Sequence, residues 1–263
     1  MLDQLDINDI KKRLRTTVIG RTIIFNDKTV STNIDAIRLA SNGAEEGTVV
    51  IADEQTGGRG RFDRAWLSPA GKNILMSVIL RPRIDPSRLF QLTMIASLAV
   101  VHAIGEVAGV ASMIKWPNDV YIGRRKVCGI LTEMGLNERS LSYAVVGMGI
   151  NVNAHPELAG KNEIQATSIA SELGREISRS AIVYALLAEM DRRYGMLAEG
   201  AGDAVRSDWT RLSLILGKPV TVSDAGGSVE GVAESFDDDG CLILHTDDGS
   251  RIKITSGDVT LRL

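Results

Sequence analysis

Leu2, Leu5, Ile10 and Leu14 fall near a helical period, so residues 1–15 predict one short amphipathic helix. RTIIFNDKTV (21–30) then reads as a strand. Ser31, Thr32 and Asn33 are all N-cap types, and a helix through Ala36, Ile37, Leu39 and Ala40 follows them. GTVVIADEQ (47–55) reads as a buried strand, and NILMSVILR (73–81) is apolar on both faces, as a central strand should be. Asp85, an N-cap type, is followed by proline at the first helical position, which opens a long helix to about Val107. A membrane span needs about 20 mainly apolar residues. The apolar run from Leu92 to Val110 is broken by Thr93, Ser97, His102 and Glu106, so it reads as a buried helix.

Short β segments follow: MIKW, DVYIG, a basic turn at Arg124-Arg125-Lys126, VCGILTEM and LSYAVVGMGINVN. Two strands joined by so short a turn predict a hairpin. From Ser168 to Leu216 the helical period returns, with Ile182, Leu186, Leu187 and Met190 on one face. The last 47 residues change character again, to short alternating strands split by glycine and aspartate clusters. They predict a small all-β module, a barrel.

Charge sharpens that division. The last 47 residues hold four basic and nine acidic side chains, whereas the whole chain of 263 residues has a net charge of only −3. That balance argues against bulk binding of nucleic acid or anionic membrane. Cys128 and Cys241 are the two cysteines, read as reduced thiols of a cytoplasmic protein. The polar start, MLDQLDINDIKKRLR, contains no apolar stretch of the signal-peptide kind. His102, His155 and His245 are scattered and read as structural.

Three stretches carry candidate chemistry. In TGGRGRFDRAW (56–66), Gly57, Gly58 and Gly60 let backbone N–H groups approach a ligand, and Arg59, Arg61 and Arg64 offer forked donors for carboxylate or phosphate. The stretch is not a Walker loop, and Asp63 stands where a dinucleotide fingerprint needs its third glycine. In IKWPNDVYIGRRKVCGIL (114–131), Lys115, Asn118, Asp119 and Lys126 lie on turns between apolar strands. In GMGINVN (147–153), glycines inside a strand pattern suggest close approach by a ligand or another backbone, and Asn151 offers an amide. Taken singly, each has a plain structural reading: a solvated basic loop, an ordinary Pro-Asn-Asp turn, and a bulge.

Taken together, Ser31-Thr32-Asn33, Gln55 with GGRGRxxRxW, KWPNDV, RRKVCGIL and GMGIN resemble the biotin protein ligases over residues 22–215. The resemblance implies an α+β fold. Its catalytic domain (21–215) has a mixed, largely antiparallel sheet with flanking helices, of the class II aminoacyl-tRNA synthetase and biotin ligase type. The short N-terminal helix (1–20) precedes it, and a small C-terminal β-barrel (216–263) follows.

By the same resemblance, Ser31, Thr32, Asn33, Gln55, Gly58, Arg59, Gly60, Arg61 and Lys126 would contact biotin. Arg59, Arg61, Trp66, Asn118, Lys126 and Asn151 would contact ATP or the adenylate. Arg59, Arg61, Lys126 and Asp119 would act in catalysis, with Asp119 near the incoming lysine or the metal. The arginine loop would fold over biotinyl-5'-AMP as a lid. The substrates would be biotin and ATP with its Mg²⁺, with no resident metal, and the partner a biotin carboxyl carrier domain of a carboxylase. A monomer or a homodimer fits equally. Only about 20 residues precede the first catalytic strand, too few for a winged helix-turn-helix, so the monofunctional type without DNA binding is expected. Arg64 is open between a ligand and Asp63. The alternatives are a lipoate or octanoate ligase of the same fold and a biotin-sensing regulator.

Overall fold

The computed structural model describes residues 5–138, 140–156, 165–224 and 226–262. Among these, the first helix, α1 (Ile7–Arg13), is capped by Asp6, whose side chain accepts from the Asp9 N–H. The strands β1 (Ile23–Thr29), β2 (Val49–Gln55), β3 (Ile74–Leu80), β4 (Met113–Lys115), β5 (Asp119–Ile122), β6 (Arg125–Asn137) and β7 (Ser140–Ile150) form a seven-stranded sheet. Its order is β1-β2-β3-β7-β6-β5-β4. Only β1 and β2 run parallel, joined through α2 (Thr32–Ser41); the other pairings are antiparallel. The sheet is therefore mixed, as expected. The basic turn does close a hairpin, β5–β6.

Side-chain alternation along the strands sorts the sheet's two faces. Met76, Val78 and Leu80 of β3 and Val146, Met148 and Ile150 of β7 join a large core with α3 (Phe90–Ala108) and α5 (Arg179–Ala198). Residues 92–100 of α3 are all buried, so the long apolar helix is a core helix. On the opposite face Ala36 and Ala40 of α2 pack on Val50, Ile79 and Val145. Beyond the first turn of α2, at Ser31, Thr32 and Asn33, that face is open, and there the site lies. Arg179, buried in α5, pairs with Asp53 of β2 at 2.7 Å and ties the two layers together.

After α4 (Ile169–Leu173), α5 and α6 (Gly202–Arg211) come β8 (Pro219–Asp224), β9 (Gly227–Phe236), β10 (Leu242–His245), β11 (Arg251–Ile254) and β12 (Asp258–Leu261). The expected barrel takes the form of a five-stranded antiparallel sheet, order β11-β10-β9-β8-β12. Among the described residues its outer strands do not pair with each other. Each is four residues long, too short to curl round and close the ladder. This sheet shares the main core through Val220, Val222, Phe236 and Leu242. Trp209 of α6 meets Phe236 at 4.5 Å and Phe90 at 5.6 Å, both edge-on. The Trp116 indole N–H donates to the Gly240 carbonyl at 2.9 Å. Gly240 has φ +80°, and a β-carbon there would stand 2.2 Å from the Phe90 ring, so only glycine fits.

Candidate active site

The open part of the α2 face holds a cavity of about 310 Å³. Its floor is set by strand glycines. Gly147 of β7 lies in register with Ser77 of β3 and Leu131 of β6, and Gly149 with Gly129 of β6. Neither the turn chemistry nor a positive φ requires glycine at these positions; space does. A β-carbon on Gly147 would stand 2.0 Å from Asn33 Oδ1, and one on Gly149 2.4 Å from the Trp66 ring. What approaches these strand glycines most closely within the chain is thus a side chain from α2 and a side chain from the arginine loop.

One end of the cavity is neutral and fully ordered by hydrogen bonds. The Thr32 backbone N–H (2.7 Å) and hydroxyl (3.0 Å) both donate to Gln55 Oε1. That fixes the Gln55 amide, with its Nε2 beside Gly58; a β-carbon on Gly58 would meet Nε2 at 2.8 Å. Ser77 Oγ lies 2.8 Å from Thr32 Oγ1 and 2.6 Å from Asn33 Oδ1. Asn33 Nδ2 donates to Glu133 at 2.7 Å and to the Leu131 carbonyl at 3.3 Å, so its amide is occupied at both ends. Ser31 stands at the N-cap of α2 without capping it, and it lines the cavity. The side chains lining this end offer hydroxyl and amide groups, with the Glu133 carboxylate behind Asn33.

The other end is cationic. The loop doubles back at its base, where the Trp66 N–H donates to the Gly58 carbonyl (2.8 Å) and the Gly60 N–H to the Arg64 carbonyl (2.7 Å). A tight turn over Arg61–Asp63 forms its tip, with φ of 56° at Phe62 and 54° at Asp63. Such left-handed conformations cost a residue with a β-carbon roughly 1–2 kcal/mol each. Arg59 pairs with Asp63 at 3.7 Å. Arg64 turns away from Asp63 and pairs with Asp258 of β12. Arg61 Nη1 donates to Asn118 Oδ1 (3.3 Å) and to the Gly257 carbonyl (3.2 Å), and its guanidinium lies over the Phe62 ring. Burial lowers the Arg61 pKa from its ordinary value, opposed by Asp258 and Asp119. Partial loss of solvent strengthens the pull of such a cation on an anion.

Lys126 Nζ pairs with Asp119 at 2.7 Å and lies 5.5 Å from the Trp66 ring centre. Its backbone is pinned on both sides, with the N–H donating to the Gln165 carbonyl and the carbonyl accepting from the Thr167 N–H. Burial raises the thiol pKa of the neighbouring Cys128, which keeps it an inert core residue. Among the described residues, Trp66 Nε1 and Asn151 Oδ1 are buried without a hydrogen-bond partner, although Asn151 Nδ2 donates to the Thr167 carbonyl at 3.0 Å. Both residues line the cavity. Orphaned buried polar atoms are rare in native proteins, and here they point to ligand groups.

Residues 25–151 match the biotin/lipoate A/B protein ligase family, and residues 215–262 match the biotin protein ligase C terminal domain. The chain is 38% identical to the bifunctional ligase/repressor BirA of Bacillus subtilis, across 98% of this chain and 79% of that protein. The chain belongs to the biotin protein ligase family. It is also 33% identical to the biotin–[acetyl-CoA-carboxylase] ligase of Mycobacterium tuberculosis, over 95% of this chain and 94% of that one. Among solved structures, the biotin protein ligase from Aquifex aeolicus in complex with biotin and ATP superposes with a TM-score of 0.75. Its identity is 28%, covering 92% of this chain and 99% of that one.

Every residue that the resemblance assigned to biotin or nucleotide lines the cavity except Gly58, which lies against Gln55 and Trp66; Gly57 and Lys115, candidates from the sequence alone, do not line it. Sequence reading of the ligase site passed over Ser77, Glu133, Gly129 and Asp258. Ser77 carried a signal, as the polar residue within the otherwise apolar run ILMSVIL. Asp258 carried none, since its partner Arg64 is 194 residues away.

Proposed function

We propose that this chain joins biotin to a lysine of a biotin carboxyl carrier domain through biotinyl-5'-AMP. The observation that carries this reading is the cavity's two-ended character. Its neutral end, built by Thr32, Gln55 and Ser77, suits the ureido ring of biotin, which needs a few fixed donors and acceptors. Its cationic end, built by Arg59, Arg61 and Lys126, suits a carboxylate meeting a phosphate. Catalysis is assigned to residues 21–215, with residues 216–263 completing the wall at Asp258.

In the first step a biotin carboxylate oxygen attacks the α-phosphorus of ATP, and the bond to the β-phosphate oxygen breaks to release pyrophosphate. The nucleophile is already ionised at neutral pH, as carboxylates titrate near ~4–5. The obstacle is two anions approaching. A unit charge at ~4 Å is worth about 4 kcal/mol at an effective dielectric of ~20. Lys126, Arg59 and Arg61, with the Mg²⁺ that accompanies ATP, supply that stabilisation by position alone. Trp66 and Asn151, with their orphaned Nε1 and Oδ1, meet the nucleotide side. Asn33, occupied at both ends, braces the biotin end through Ser77. Asn118 holds Arg61.

In the second step a carrier lysine attacks the acyl carbon, the bond to the phosphate oxygen breaks, and AMP leaves. That amine starts as an ammonium with a pKa of ~10.4. Asp119 holds Lys126 at 2.7 Å. Once phosphate draws Lys126 away, Asp119 is free to receive the incoming ammonium, orient it and take one proton from it; the neutral amine then attacks, and its second proton is lost to solvent as the amide forms. Between the steps the arginine loop keeps water from the adenylate. Incubation with ATP, carrier domain and either biotin or lipoate tests the reading. Avidin-detected labelling only with biotin supports it; lipoyl transfer, or no transfer, rejects it.

A further inference from the structure

The C-terminal sheet does more than cap the core. It is fastened to the catalytic layers by Trp209, Phe236 and Phe90 and by the Trp116–Gly240 hydrogen bond. A wall held so firmly is a fixed reference for anything that touches it. What touches it at the cavity is the arginine loop. Arg64 pairs with Asp258, and Arg61 donates to the carbonyl of the preceding Gly257. These contacts reach the loop tip, where Phe62 and Asp63 adopt unfavourable positive φ angles. A strained turn persists only when its surroundings over-determine it. Within the loop itself the base is held by backbone hydrogen bonds. The guanidiniums of Arg61 and Arg64 at the tip are held by the sheet.

We infer that Asp258 is a positioning residue for the arginine loop: it anchors Arg64, and with it the placement of Arg61 over the cavity, from the C-terminal sheet. Asp258 lines the cavity, and it is the leading favourable charge acting on the half-buried Arg61 guanidinium. Its carboxylate supplies an anion beside the cations of the adenylation site. The loop is thereby presented near its working position before substrate arrives, which reduces the ordering needed on binding. This inference rests on the ligase reading for its catalytic consequence but not for its structural one.

The loop's own Phe62, 58% exposed, is a chymotrypsin site that neither partner substitution removes. In the full chain without ligand, Asp258→Asn and Arg64→Gln should each speed cleavage after Phe62 by about 2- to 5-fold, the range of a surface ion pair. The reversed pair, Arg64→Asp with Asp258→Arg, should restore protection. Raising NaCl should speed cleavage of the wild type and leave Asp258→Asn unmoved, because the pair is screened. Release of free biotinyl-AMP should rise by a similar factor in Asp258→Asn, with the thermal midpoint unchanged. Wild-type cleavage rates in both single variants, or a reversed pair no better than either, would overturn the inference. Proteolysis needs no substrate, so failure of the ligase reading would show separately, as wild-type protein that forms no biotinyl-AMP.

Discussion

Gly149 lies so close beneath the indole of Trp66 that a β-carbon on the glycine would stand 2.4 Å from the ring. Gly129, its partner across the β6–β7 ladder, leaves the same indole 2.9 Å of room. The ring is thus seated in a slot cut into the sheet, with Lys126 on its face. Gly149→Ala must lift the ring out of the slot. Because Trp66 is assigned to the nucleotide side, KM for ATP should rise about 10-fold, equivalent to ~1.4 kcal/mol, while biotin affinity changes little. Steady-state pyrophosphate release measured against each substrate separates the two effects.

Ser77 braces both Thr32 and Asn33 from inside a buried strand. Ser77→Ala removes one hydroxyl without adding bulk, so the loss should be near the ~1 kcal/mol of a single hydrogen bond. Biotin Kd should rise about 5-fold, read by titration calorimetry.

Lys126 and Asp119 should separate the half-reactions. Lys126→Met should lower biotin-dependent pyrophosphate release by about 10²–10³-fold, the range for one electrostatic donor in an active site. Asp119→Asn should keep adenylation within about 3-fold and slow transfer to the carrier lysine by more than about 10-fold. Single-turnover transfer from preformed biotinyl-AMP checks it; wild-type transfer by Asp119→Asn would remove Asp119 from the second step.

The sequence reached the loop glycines and arginines, the Pro-Asn-Asp turn and Lys126 because their order along the chain matches the family's motifs; taken singly, each is an ordinary loop or turn. It reached the separate strands and helices because periods of two and of 3.6 alternate along the chain; the mixed sheet came with the family resemblance. Ser77 was obscured because one serine does not change an apolar strand's pattern. The Arg64–Asp258 pair was invisible because only tertiary packing brings residues 194 apart together. The glycines of GMGIN suggest close approach by a ligand or another backbone, whereas within the chain the side chains of Asn33 and Trp66 approach them, which local pattern does not name.

Phe236 fastens the C-terminal sheet through Trp209, away from the cavity. Phe236→Ala should destabilise the chain by about 3 kcal/mol, seen as a lower calorimetric midpoint. At low temperature, where the variant stays folded, biotin-dependent pyrophosphate release should remain within about 2-fold of wild type, since the ring touches no cavity residue assigned to substrate.

The central claim is that one cavity activates biotin with ATP and passes it to a lysine. Intact-mass spectrometry of an apo carrier domain, incubated with the chain, ATP and biotin, tests it most directly. The account predicts a single biotinyl adduct on the carrier lysine that requires both ATP and biotin and nearly vanishes with Lys126→Met. An unmodified carrier, or an adduct formed equally well by Lys126→Met, would contradict it.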